Sequence, residues 1–128
     1  MDQRTGAHVD LAERNQKLAH DLLGLAADGT LQPPPYEWIA VIAFYSALRY
    51  VNAYFWEVQQ RATNSHPQRA AWVRQDAYLR TCEAEYQRLW QAGGAARYDL
   101  AFVMPAIRAN ALVVADLGAI EALVRAAL

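Results

Sequence analysis

Arg61 and His66 are the residues of this chain whose types and spacing most directly suggest chemistry. A histidine that titrates near neutrality can take the proton from a ribose 2′-hydroxyl or return one to a leaving oxygen, and a guanidinium can hold two oxygens of a phosphorane. Separated by four residues, they would support phosphodiester cleavage without a metal. The surrounding charge pattern agrees with an anionic ligand. Between Glu57 and Asp76 there is no acidic residue, whereas Arg61, His66, Arg69 and Arg74 all fall inside, a positive island in a slightly acidic protein. Free backbone N–H groups at the start of a helix opening near His66 would add to it. The plainer reading makes His66 an exposed first-turn residue beside a helix cap.

Two further polar groups stand out. Arg49 interrupts an apolar helix and must pair, reach water or face a partner, because an unpaired buried guanidinium costs several kcal/mol. With Asn52 and Tyr45 it would line a cleft that binds a nucleotide or an opposing subunit, or it snorkels to solvent at the bundle edge. Arg97-Tyr98-Asp99 reads as a hydrogen-bonded set at a bundle end, Tyr98 packing its ring and Asp99 or a carbonyl receiving the guanidinium. Trp56 and Tyr54 lie near the positive island and offer faces for base stacking.

The elements that must position these groups are helical. Asp10 followed by Glu13 resembles a capping box opening a first helix, with Leu11, Leu18, Leu22 and Leu25 at helical spacing and Gly29 at its end. Pro33-Pro34-Pro35 is a rigid connector. A second helix, Tyr36 to about Ala62, carries two apolar stripes, Trp38, Ile42, Tyr45, Leu48 and Phe55 on one side and Phe44, Val51, Tyr54 and Val58 on another. A helix apolar over most of its circumference must be central or lie at an interface. Ser65 and Gln68 cap a third helix, with Pro67 in its first turn and Trp72, Leu79, Cys82, Tyr86 and Trp90 on one face, until Gly93-Gly94 breaks it. After a short piece, Pro105 opens a last helix with Ile107, Ala111, Val114, Leu117, Ile120 and Val124 inward. No stretch alternates with period two. The expected fold is all-α, an up-down four-helix bundle with a short extra helix before the last helix, residues 1–9 forming a flexible N-terminus and 10–128 one domain.

The bulk properties are consistent with this. At 128 residues and 14.3 kDa, with a net charge of −1, the chain suits a single domain and has no overall pull toward nucleic acid or an anionic membrane, so any such site is local. One cysteine excludes an internal disulfide and a cysteine-rich zinc site, and no apolar run long enough to span a membrane escapes interruption by charge. A soluble, cytoplasmic protein without cofactor or metal is expected.

The order of these motifs resembles a family. Phe44-Tyr45-Ser46-Ala47-Leu48 in a long second helix, Ser65-His66 opening the third, a tyrosine-rich third helix, Ala96-Arg97-Tyr98 and an alanine-rich last helix together resemble the HEPN superfamily of bacterial type, over roughly residues 10–128. The resemblance implies a four- or five-helix bundle that pairs into a homodimer through its middle helices. It also implies one of two branches. Members with an arginine, four to six residues and a histidine are metal-independent ribonucleases of toxin-like type, a role that would fall to Arg61 and His66, although Ala62 stands where such members place a polar residue. Others bind RNA, a nucleotide or a partner protein such as a nucleotidyltransferase or antitoxin, and Arg97-Tyr98 matches the element that many of these carry. The residues expected to bind ligand are Arg49, Asn52, Tyr45, Arg69, Arg74, Arg97 and Tyr98. A purely structural interaction subunit is the remaining alternative.

Overall fold

The rod from Tyr36 to Gln59, α2, forms because the prolines before it supply no competing helix and nothing in its interior is a glycine or proline. Phe44, Tyr50, Val51 and Phe55 are fully or almost fully enclosed, each aromatic contributing about 1.5–3 kcal/mol on burial. Trp38 and Val58, expected on the inward stripes, are 58% and 50% exposed, because they sit near the ends of the rod, where fewer neighbours cover it. The helix stops at Gln60, which takes a left-handed conformation (φ 53°) and donates its N–H to the Trp56 carbonyl, while the Arg61 N–H reaches the Phe55 carbonyl.

The computed structural model describes residues 1–99 and 101–128. Before α2 runs α1, Gln3–Ala27; after it come α3, His66–Gln75, α4, Glu83–Tyr98, α5, Ala106–Ala111, and α6, Leu117–Ala127, with a 3-10 turn at Leu79–Cys82 and a π-helical turn at Leu112–Asp116. The fold is the expected all-α bundle, with α2 packed against α1, α4, α5 and α6. Among the described residues there is no strand, and no helix is long and apolar enough to cross a membrane.

Five expectations are corrected. The segment 1–9 is helical from Gln3. Asp2 caps it by accepting the Arg4 N–H at 2.8 Å, and Asp2 N–H and the Thr5 hydroxyl bind Glu57 of α2 at 3.2 and 2.7 Å. The inward face of α1 is not the leucine series but Thr5, Ala12, Ala19 and Ala26, spaced by heptads; Leu18 and Leu25 are 45% and 39% exposed. Small residues let α1 approach α2 closely enough for the Ser46 hydroxyl to reach the Ala12 carbonyl at 2.8 Å.

The third expected helix is two. Asp76 ends α3 because its carboxylate accepts the N–H groups of Tyr78 and Leu79 at 2.9 and 3.0 Å, offering the backbone an alternative to the helix. The chain then turns through Leu79–Cys82 into α4, which continues through Gly93-Gly94 to Tyr98 rather than breaking there. Gly93 is a packing requirement: a Cβ added to it would lie 3.0 Å from Phe44 Cβ.

In the last rod, Ile107 and Val114 are 87% and 53% exposed, and Ala109, Leu112 and Val113 are buried in their place. The π-helical turn inserts one residue into the helical count, so positions before it are rotated relative to a uniform period. It is anchored by Asp116, buried and held by Arg88 of α4 at 2.9 Å. A second polar tie joins α1, α2 and α6: the Tyr50 hydroxyl donates to Gln16 at 2.6 Å, and Arg125 binds Glu121 and Glu13 at 2.9 and 3.1 Å.

Candidate functional site

Tyr45, Arg49 and Asn52 fall at i, i+4 and i+7 of α2 and therefore share one face; all three are half-buried. Each meets a basic residue from a different element. Arg97, in the last turn of α4, donates to the Tyr45 hydroxyl, and its guanidinium lies 5.5 Å from the Tyr45 ring centroid and 4.8 Å from that of Tyr98. His8 of α1 accepts from Arg49 at 3.4 Å. Arg69 of α3 donates through Nε to Asn52 Oδ1 at 3.2 Å and to Thr63 Oγ1 at 3.0 Å, while the Thr63 hydroxyl donates to Asn52 Oδ1 at 2.6 Å.

Arg69 is the most unusual of these, being only 6% exposed. Its Nη1 lies 3.0 Å from His66 Nδ1. Because a guanidinium has no acceptor, Nδ1 must be the acceptor, which makes His66 a neutral imidazole carrying its proton on Nε2. Burial, then the charges of Arg69 and Arg97, hold His66 below the ordinary histidine value of 6.5. Burial and the charges of Arg49, Arg4 and Arg69 do the same to His8. The His66 ring packs 5.4 Å from Phe44 and 6.3 Å from Tyr45, so the floor of the site is the centre of the core. Beneath it the enclosed Tyr86 hydroxyl has no hydrogen-bond partner, and neither does the buried Nε of Arg97.

Arg61 does not join this group. Its guanidinium stacks 3.7 Å from the Trp72 ring and donates to Gln59 at 2.9 Å. There it borders a small pocket of about 120 Å³ with Phe55, Gln75 and Asp76. Trp72 packs on Phe55, eleven residues beyond the Phe44 that His66 touches, about 16 Å along the α2 axis. The link from Gln60 to Ser65 carries the chain back over that distance, which five residues can span. The extended link thus separates Arg61 and His66 although they are close in sequence. Arg74, in the last turn of α3, is exposed, eight residues and about 12 Å along the axis from His66.

Of the residues expected to bind ligand, the structure gathers Tyr45, Asn52, Arg69, Arg97 and Tyr98, with Arg49 adjoining, and leaves Arg74 apart. Arg97 pairs with Tyr45 rather than with Asp99, whose carboxylate accepts the Ala101 N–H at 3.0 Å, and Tyr98 is 78% exposed rather than packed. His8 and Thr63 were not foreseen. His8 lay in a segment read as flexible, and Thr63 carried no signal beyond a hydroxyl in a polar loop. Among the described residues no cluster of metal-ligating side chains occurs, and no carboxylate pairs with Arg49, His66, Arg69 or Arg97. Cys82 is enclosed, its thiol pushed up to about 11 by burial and therefore unreactive.

These features define an all-helical domain with an uncompensated cationic cluster on one face. Compared with protein-family models, with curated proteins and with solved structures, the chain matches none.

Proposed function

We propose that this chain is a HEPN-like, homodimeric cytoplasmic domain that binds the phosphates of RNA or a nucleotide among Tyr45, Asn52, His66, Arg69 and Arg97. The observation that carries the reading is the charge balance of the site. In a protein of net charge −1, an almost fully buried guanidinium sits beside a histidine and near a second arginine without a carboxylate. Such an arrangement is costly alone and is relieved by an anion. The tautomer of His66 favours binding over cleavage: its Nε2–H donates to a phosphate oxygen, and its Nδ1 lone pair, which a general base would need, is occupied by Arg69. Pairing into a homodimer is supported by exposed apolar side chains, with Ile107, Val103 and Trp38 at 87%, 80% and 58% exposure.

The test is fluorescence anisotropy with a labelled single-stranded oligouridylate at low salt. Binding that weakens as salt rises and falls at least about tenfold in Arg97→Gln supports the reading. No binding by the wild-type chain removes it. Cleavage of the RNA in the presence of chelator, lost in His66→Ala, would replace it with an endoribonuclease.

A further inference from the structure

The cationic face widens from the cluster just described toward α1. Arg49 lies one helical turn from Tyr45 and less than one from Asn52, half-buried, and its hydrogen-bonding partner is another basic group, His8. A contact of 3.4 Å to an imidazole is a poor substitute for a carboxylate, so this guanidinium is as uncompensated as Arg69. Arg49 lies about 6 Å along the α2 axis from Tyr45 and about 4.5 Å from Asn52. A stacked strand rises about 3.4 Å per nucleotide, so a phosphate at Arg49 and one at the Tyr45 end would lie one or two nucleotides apart.

The two ends of the face are chemically different. Beyond Asn52 the next residue on the face is Trp56, whose indole N–H donates to Asp2 at 2.9 Å and whose ring carries the Arg4 guanidinium at 4.0 Å, with Glu57 bonded to the Asp2 N–H, so charges of both signs meet there. At the other end the Tyr98 ring, 78% exposed and backed by the Arg97 guanidinium, presents a face on which a base can stack.

Building on the phosphate-binding reading above, we infer that His8 and Arg49 form a second phosphate subsite beside the Arg69 cluster, so that the ligand is a single strand of nucleic acid held at successive phosphates. Arg69 belongs to the first subsite, tied to Asn52 and His66, and Asn52 is three residues from Arg49 on the same helix. Through His8, α1 supplies a ligand contact as well as a packing surface.

The experiment is calorimetric titration of the whole chain with uridine monophosphate, with 5′-phosphorylated di- and tetranucleotides of uridine, and with tripolyphosphate. Wild type, Arg49→Gln and His8→Gln are compared, each checked for an unchanged far-UV helical signal. The wild-type chain is expected to bind the dinucleotide roughly tenfold more tightly than the mononucleotide, as one added charge-assisted contact implies. Arg49→Gln and His8→Gln should erase that step and leave mononucleotide affinity intact. Arg49→Gln should also lower the salt slope for the tetranucleotide by about 0.7. Mononucleotide binding with no gain in length, or variants that weaken every ligand by one factor, overturns the second subsite alone. Tripolyphosphate binding as tightly as the tetranucleotide overturns nucleic acid as the ligand. Failure of every ligand to bind overturns both the subsite and the phosphate-binding reading.

Discussion

His66 and His8 make the site sensitive to pH in two separable ways. Both are held below the ordinary value of 6.5, so the folded chain binds fewer protons than the unfolded one just under that pH. Stability contributed by neutral His66 and His8 is therefore complete above about pH 6.5 and is lost as pH falls through the window beneath it. Replacing His66 with glutamine should flatten the decline in urea midpoint over that window; an unchanged slope would show that the histidine is not held neutral. Ligand affinity runs in the opposite sense, since a bound phosphate favours imidazolium, so RNA should bind more tightly as pH falls toward 6. Arg61 provides the contrasting case. Because it is stacked on Trp72, Arg61→Ala should leave RNA affinity unchanged while costing about 0.5–1 kcal/mol of stability. A loss of affinity comparable to that of Arg97→Gln would return Arg61 to the site.

At the level of elements, close approach between α2 and α4 makes neighbouring glycines unequal. Gly93→Ala forces its Cβ to 3.0 Å from Phe44 and should destabilise by about 1–3 kcal/mol. Gly94→Ala meets nothing within 4 Å and should stabilise the same helix by up to about 1 kcal/mol. Thermal melts of the pair give the answer directly, and equal effects would contradict the packing. Asp76 is the other local determinant. Its carboxylate ends α3, and it also accepts from the Tyr54 hydroxyl at 3.0 Å and Gln59 at 2.9 Å. Asp76→Ala would leave a buried phenol unpaired and remove the turn, at a cost of about 1–3 kcal/mol in denaturant unfolding. These two features explain why the sequence suggested one helix with a break at the glycines. The apolar period runs through Asp76, and Gly93-Gly94 has the composition of a stop; only the position of Phe44 reverses the meaning of Gly93.

For the molecule as a whole, the exposed apolar side chains Val103, Ile107 and Trp38 lie just before α5, in α5 and at the start of α2, with others scattered over α1, the end of α2 and the π-helical turn, while the cationic face lies across the middle of α2. A homodimer would show in light scattering as about twice the 14.3 kDa chain mass; a single-chain mass at micromolar concentration would exclude it. Substituting Ile107 with lysine is then expected to shift the equilibrium toward the monomer without altering RNA affinity.

Much of the architecture was already written in local patterns. The all-α class, the central role of α2, the cap at Ser65, the end of α1 near Gly29 and the start of the last rod at Pro105 all follow from apolar periodicity and from residues that supply or withhold backbone hydrogen bonds. These are properties of a few adjacent residues, and the tertiary structure leaves them in place. What required three dimensions was partnership. Only four residues stand between His66 and Arg61, yet the histidine's guanidinium partner is Arg69, because the link after Gln60 runs along α2 instead of folding on itself. His8 meets Arg49 only because the alanine face of α1 brings its first turns against α2, and Ile107 faces outward only because a π-helical turn shifts the count behind it. Contacts between distant segments depend on how closely whole surfaces pack, and no spacing along the chain encodes that distance.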